Sequence, residues 1–182
     1  AGGFYFEPSN WTPADVPNGS IETAVFDLPA TYTVDLGFAT VPSVSRLDVL
    51  DGNVNLTATS SIYTIRDNFN VAGANLTADN ILFSVLGQME IQGGSFIANS
   101  EIGFGPNGTL RVGGTSPSSR LTVAGSGNRL RAFNTLEVFR SGLLEAIDGA
   151  AILTPQVDVV VGDHAIAGTL ALDSGATMST ED

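Results

Sequence analysis

From Ala24 onward the chain is built of short runs in which apolar and polar residues alternate, each closed by Gly, Asn, Asp or Ser. AVFD comes first, then TYTVDL with Tyr32, Val34 and Leu36 on one face, then SRLDVL, NVNLTA, SIYTI and NFNVA. A period of two with turn formers at its ends predicts β-strands. No window places apolar residues at i, i+3, i+4 and i+7 with a cap and a stop, so almost no helix is expected.

The runs also repeat. NLTADNILFSVLGQMEIQGG (residues 75–94) is followed by SFIANSEIGFGPNGTLRVGG (residues 95–114). Leu76 maps to Phe96 and Ala78 to Ala98 at an offset of 20. Ile81 maps to Ile102, Phe83 to Phe104, Met89 to Leu110 and Ile91 to Val112 at an offset of 21. Two pairs of alternating apolar residues flank a glycine in each unit, Gly87 in the first and Gly108 in the second. The same motif recurs as Leu136, Val138, Gly142, Leu144 and Ala146. With one residue deleted it fits Leu47, Val49, Gly52, Val54 and Leu56, and with three inserted Val159, Val161, Gly168, Leu170 and Leu172. Strand-and-turn units at such a period predict a solenoid. The expected fold is all-β, a right-handed parallel β-helix of about 20 residues per coil, with roughly seven coils in a core on the order of 35 Å long. Glycine is expected at the corners for its access to positive φ. Equivalent residues of adjacent coils should stack about 4.8 Å apart, Phe83 on Phe104 and Met89 on Leu110.

Two stretches break the pattern. Residues 1–23 hold Phe4, Tyr5, Phe6 and Trp11 among Pro8, Pro13 and Pro17, without periodicity. This segment reads as an aromatic cap or inter-subunit contact ahead of a solenoid domain over residues 24–182, or as a loop with locally satisfied aromatics. Later, the glycine spacing widens from 21 (Gly87 to Gly108) to 34 (Gly108 to Gly142). Arg111, Arg120, Arg129, Arg131 and Arg140 lie in or beside that stretch, either as one basic edge or as ordinary strand-exterior residues.

Composition narrows the partners. The chain has 182 residues, 7 Lys+Arg against 19 Asp+Glu, a net charge of -12, and every basic residue is Arg. That balance argues against nucleic acid and anionic membranes, which need a basic patch. No apolar run approaches the ~20 residues of a membrane helix. Cysteine is absent, which removes disulfides and thiolate metal sites. The chain opens at Ala1 without Met or a hydrophobic leader, as a processed exported chain or a trimmed one would.

The opening NWTPADVPNGSIETAVFDLPATYTVDL resembles the start of repetitive β-helix regions in secreted bacterial proteins of the autotransporter-passenger and PEP-CTERM types. The matching positions are Asn10, Trp11, Val16, Pro17, Ala24, Val25, Phe26, Tyr32, Thr33, Val34 and Leu36. The resemblance implies export to the cell surface or beyond and a β-solenoid, and it carries no catalytic residue.

Chemistry is sparse. Glycoside hydrolysis needs two carboxylates roughly 5–9 Å apart across a cleft, whereas the acids here are scattered singly, with Asp79 and Glu101 expected near each other on adjacent coils, as are Glu90 and Arg111. The single histidine, His164, sits beside Asp163 in a predicted loop. Asp48 with Asp51, or Asp158 with Asp163, offers acidic turns for calcium. Asn10, Asn18, Asn55, Asn75 and Asn107 begin Asn-x-Ser/Thr triplets, which matter only where a host modifies them.

The last residues, LALDSGATMSTED, look like another coil with no helix over it, and a bare solenoid end exposes strand edges. The expectation is a secreted, non-enzymatic structural subunit that stacks head to tail, with Phe4, Tyr5, Phe6 and Trp11 meeting Leu170 and Leu172. Its inner ladder is expected from Ile81, Phe83, Met89, Ile91, Ile102, Phe104, Leu110 and Val112. An adhesin or module binding surface glycans is the alternative, and a polysaccharide-active enzyme ranks third.

Overall fold

The computed structural model describes residues 2–38, 41–114, 119–131, 134–139, 141–153, 158–161, 169–172 and 177–179. The strands in chain order begin β1 (Gly2–Phe4), β2 (Thr23–Phe26), β3 (Thr31–Asp35), β4 (Ser43–Val49), β5 (Asn53–Ala72) and β6 (Asn75–Val85). Then come β7 (Gln88–Gln92), β8 (Gly94–Asn99), β9 (Ile102–Phe104), β10 (Thr109–Val112), β11 (Ser119–Ala124) and β12 (Arg129–Arg131). The last are β13 (Thr135–Val138), β14 (Leu143–Ile147), β15 (Ala151–Leu153), β16 (Asp158–Val161), β17 (Thr169–Leu172) and β18 (Thr177–Ser179). Among the described residues the one helical turn is 3-10, Pro8–Asn10.

Among the described residues every pairing between strands is parallel, and each joins a strand to one about a coil away. Three faces result. Face A stacks β1, β3, the start of β5, the start of β6, β8, β11, β14 and β17. Face B stacks β2, the end of β4, the end of β5, β7, β10, β13 and β16. Face C carries the middle of β5, the end of β6, β9, β12, β15 and β18. The chain visits them in the order B, A, C. This is a parallel β-helix, and eight strands on face A at ~4.8 Å apart span on the order of 34 Å.

Alternation explains the core directly, because every second side chain points inward. On face A the inward column runs Tyr32, Val54, Leu76, Phe96, Leu121 and Leu144, all buried. On face B it runs Ala24, Leu47, Phe69, Met89, Leu110 and Leu136, also buried. The eight expected ladder residues are all buried, from 0% to 4% exposed. Met89 does pair with Leu110 and Ile91 with Val112.

The third face corrects the expected register. Phe83 pairs with Ile102, and Val85 with Phe104, so Phe83 does not lie on Phe104. Ile81 pairs with Ser61 on one side and is met on the other by the Ser100 hydroxyl, which accepts its N–H at 3.3 Å. The offset is 20 on face A, 19 on face C and 21 on face B for the same pair of coils. Corner lengths cause this. Three residues separate Val85 from Met89, while five separate Phe104 from Leu110. A slip of two residues keeps every apolar side chain inward, so alternation alone does not detect it.

The recurring glycine motif also divides in two. Gly87 and Gly108 turn the chain from face C to face B, whereas Gly52 and Gly142 turn it from face B to face A. Gly168 lies outside the described residues. Gly52 has the expected positive φ of 78°, but Gly87, Gly108 and Gly142 are not among the positive-φ residues. Their reason is closeness. A Cβ on Gly87 would run into the Asp67 carbonyl oxygen of the previous coil, and one on Gly142 into that of Val112.

Two measurements check this account. Phe83→Ala should destabilise the protein by about 3–5 kcal/mol in denaturant unfolding, because Phe83 is fully buried in a filled column. Gly87→Ala should lower the melting temperature more than Gly127→Ala does, since nothing lies within 4 Å of a Cβ on Gly127 and its cost is confined to its φ of +84°. Equal losses would contradict the close-approach argument.

Candidate functional site

The amino-terminal segment folds over the first coil. β1 adds a strand to face A, with Gly3 paired to Val34 and Phe4 to Asp35. Tyr5 then turns into the core and is fully buried. Its hydroxyl donates to the Pro17 carbonyl at 2.6 Å and shares a 2.9 Å hydrogen bond with the Tyr63 hydroxyl. Its ring stands edge-on to Trp11 at 5.0 Å and to Tyr63 at 5.7 Å. Trp11 donates its indole N–H to the Tyr5 carbonyl at 2.7 Å and tilts against Phe26. Tyr63 stacks on Phe83, which meets Phe69 and Phe96. One aromatic column thus runs from the cap into the third and fourth coils. Such edge and offset contacts add about 0.5–1.5 kcal/mol each beyond burial.

Burial raises the pKa of both phenols, because the charged form is desolvated; Tyr63 is shifted further by the neighbouring Tyr5. The four aromatics therefore have different places. Tyr5 is internal, Phe6 and Trp11 are partly buried against the core, and Phe4 is 44% exposed. Sequence reading missed Tyr63 and Pro17 as the partners of Tyr5. A tyrosine at an inward strand position was the available signal, since a buried hydroxyl needs a partner.

Beside the cap lies a cleft of about 790 Å³ between the amino-terminal hook and β2. Phe26, Tyr32 and Val34 form its floor, and Asp15, Glu22 and Asp27 contribute carboxylates. The Tyr32 hydroxyl is buried without a hydrogen bond of good geometry, although the Leu28 backbone lies close enough to favour its ionised form. Desolvation outweighs that contact and raises its pKa.

The outer faces carry ladders. On face A, Asn53 donates to the Thr31 hydroxyl at 3.2 Å, Asn75 to Asn53 at 2.9 Å, and Ser95 to Asn75 at 2.7 Å. These groups are engaged with one another along the ladder. On face B, Arg111 lies between Glu137 at 2.8 Å and Glu90 at 3.4 Å, and over the Phe139 ring. On face A, Arg120 meets Glu145 at 2.9 Å, and on face C, Arg131 meets Glu101 at 3.5 Å. These arginines occupy three faces and sit beside carboxylates of neighbouring coils, so they do not form one basic edge. Arg140 lies outside the described residues. Asp79 pairs laterally with Asn99, whose amide donates at 2.7 Å, and not with Glu101. The expected Glu90–Arg111 pairing is present.

Of the acidic turns considered for calcium, Asp48 is buried against Arg46 at 2.7 Å and Asp51 accepts from the Gly52 N–H at 2.7 Å. Among the described residues no three His, Cys, Asp or Glu side chains converge on a metal position. His164 and Asp163 lie outside the described residues. At the other end, Leu170 pairs with Leu144 and is partly buried. Leu172 holds the strand position paired with Ala146, and its side chain lies outside the described set. No helix of the described residues is long and apolar enough to cross a membrane.

Comparison with known proteins finds no matching family model, no matching curated protein and no matching solved structure.

The tyrosine pair gives a pH test with a definite sign. Both phenols have raised pKa values in the fold, so the stability they contribute is complete below the unfolded value of 10.0 and falls as pH climbs beyond it. Unfolding free energy should decline above about pH 10, and Tyr5→Phe should flatten that decline. At neutral pH the same substitution should cost about 1–3 kcal/mol, because it deprives Tyr63 of its partner. A decline of unchanged slope in the variant would contradict the assignment.

Proposed function

We propose that this protein is a non-enzymatic structural rod that acts outside the cell or at its surface and associates end to end with further copies. The observation that carries the reading is the pair of edges at which the face-A ladder stops among the described residues, although on β1 the Phe4 carbonyl already accepts from the Asn10 amide at 2.9 Å and the Glu7 N–H at 3.2 Å. Among the described residues, β1 is paired on one side with β3, and β17 on one side with β14. Both edges belong to the same parallel ladder, so β17 of one copy set against β1 of the next continues its geometry. Repeating one such heterologous contact without closure builds a filament. Phe4, exposed on β1, and Leu170, on β17, stand at these two edges. Tyr5 and Trp11 serve the reading indirectly, by holding β1 in place. The sequence resemblance to exported repetitive β-helix proteins supports the extracellular setting.

Charge sets the condition for assembly. Residues 1–35 contain Glu7, Asp15, Glu22, Asp27 and Asp35 and no Arg. Residues 153–182 contain Asp158, Asp163, Asp173, Glu181 and Asp182 and again no Arg. Two acidic ends repel, and salt shortens that repulsion from a Debye length of about 30 Å at 0.01 M to about 3 Å at 1 M. Negative-stain microscopy with sedimentation should therefore show rods lengthening with protein concentration and with salt. Single, monodisperse rods under every such condition would overturn the reading.

A further inference from the structure

The cleft beside the cap is the next vacant place in the face-B ladder. Strand β2 pairs with β4 on one edge, and among the described residues no other strand is in register with it. The Glu22 and Phe26 carbonyls turn toward β4, accepting from the N–H groups of Ser45 and Leu50, each at 2.8 Å. Backbone groups of successive strand residues point to opposite edges. Thr23 and Val25 therefore turn theirs the other way, and both residues line the cleft. Below them, Phe26, Tyr32 and Val34 are inward side chains of the first full coil with 5–7% of their surface still open. On face A the level above is filled by β1, whereas on face B it is the cleft.

We propose that this cleft is a strand-addition site, which takes an extended peptide of about the length of β2, parallel to it. The backbone of the peptide bonds to Thr23 and Val25. Its alternate side chains are apolar and enter beside Trp11, which already leans on Phe26 at 5.6 Å, since Ala24 beneath is fully buried. Its outward side chains are neutral or basic, because Asp15, Glu22 and Asp27 line the cleft and residues 1–35 hold no Arg. Main-chain bonds supply affinity in this recognition mode, and alternate side chains supply selectivity. A second copy does not fill the place by simple stacking. The chain visits B before A, so β16 of a neighbour set over β2 would bring its β17 onto the place that β1 holds. End-to-end contact through β1 leaves the cleft vacant. The inference thus stands apart from the filament reading: rods that stay single leave it untouched.

The probe is a fluorescein-labelled peptide with the sequence of residues 107–113, NGTLRVG, the chain's own face-B strand with an outward arginine. Fluorescence anisotropy should show saturable binding to the full chain. Val25→Pro deletes the edge N–H at an edge position where proline is tolerated, and should weaken binding at least about tenfold with circular dichroism and melting unchanged. A second arm leaves the protein intact and N-methylates the peptide at alternate residues: one alternate set should abolish binding and the other should not. Replacing the peptide's arginine with glutamate should weaken binding most at low salt. Failure of the peptide to bind, equal binding of a scrambled peptide, or equal binding of both methylated sets would overturn the proposal. So would self-association of the unliganded chain that Val25→Pro abolishes, since the occupant would then be a second copy.

Discussion

Parallel pairing between a strand and its counterpart one coil away is the interaction on which everything else here rests. No coil of this chain encloses a core of its own. Phe69, Phe83 and Phe96 come from β5, β6 and β8 on three different faces, and all three are buried in contact with one another. Backbone bonds fix the spacing between coils, and the inward columns fill the interior at that spacing. Stability is therefore shared along the axis. Among the described residues β1, β2 and β17 have a strand partner on one side only, and there that sharing stops.

The amino-terminal end resolves this unequally. On face A, β1 supplies the missing neighbour. Over face C the chain turns Tyr5 inward and closes it with Pro17 and Tyr63, while Trp11 leans on Phe26. Among the described residues the face-B edge of β2 receives no strand, and the cleft beside it is lined by Phe26, Tyr32 and Val34 together with Asp15, Glu22 and Asp27. Farther along the stack, Asn53, Asn75, Ser95 and Arg111 are bonded outward from coil to coil. A tightly packed cap and an open cleft thus lie side by side.

Much of this was legible in the residues. Strand positions, inward faces and the eight-residue inner ladder follow from a period of two, and the near absence of helix follows from the lack of any longer period. The face-C register was not legible. Phe83 on Phe104 and Phe83 on Ile102 satisfy the same alternation, and the choice between them is made by corners of three and five residues. Nor did the motif reveal that Gly87 and Gly142 sit at different corners, because both lie between two alternating apolar pairs. The cap's partners were hidden for a related reason: Tyr5 and Tyr63 are 58 residues apart, and only the folded chain brings their hydroxyls together.

By itself the sequence determined a stack of parallel coils with an apolar interior and an acidic exterior, since alternation, glycine punctuation and charge are local or additive properties. Tertiary structure decided which coil residue lies on which, which corner glycines adopt a positive φ and which do not, and how the arginines are distributed. It placed Arg111, Arg120 and Arg131 on three faces, each beside a glutamate of another coil. Among the described residues it also left β2 paired on one edge only. Those outcomes depend on the lengths of turns summed over a whole coil, and a shift of one residue in any of them rewrites every contact beyond it.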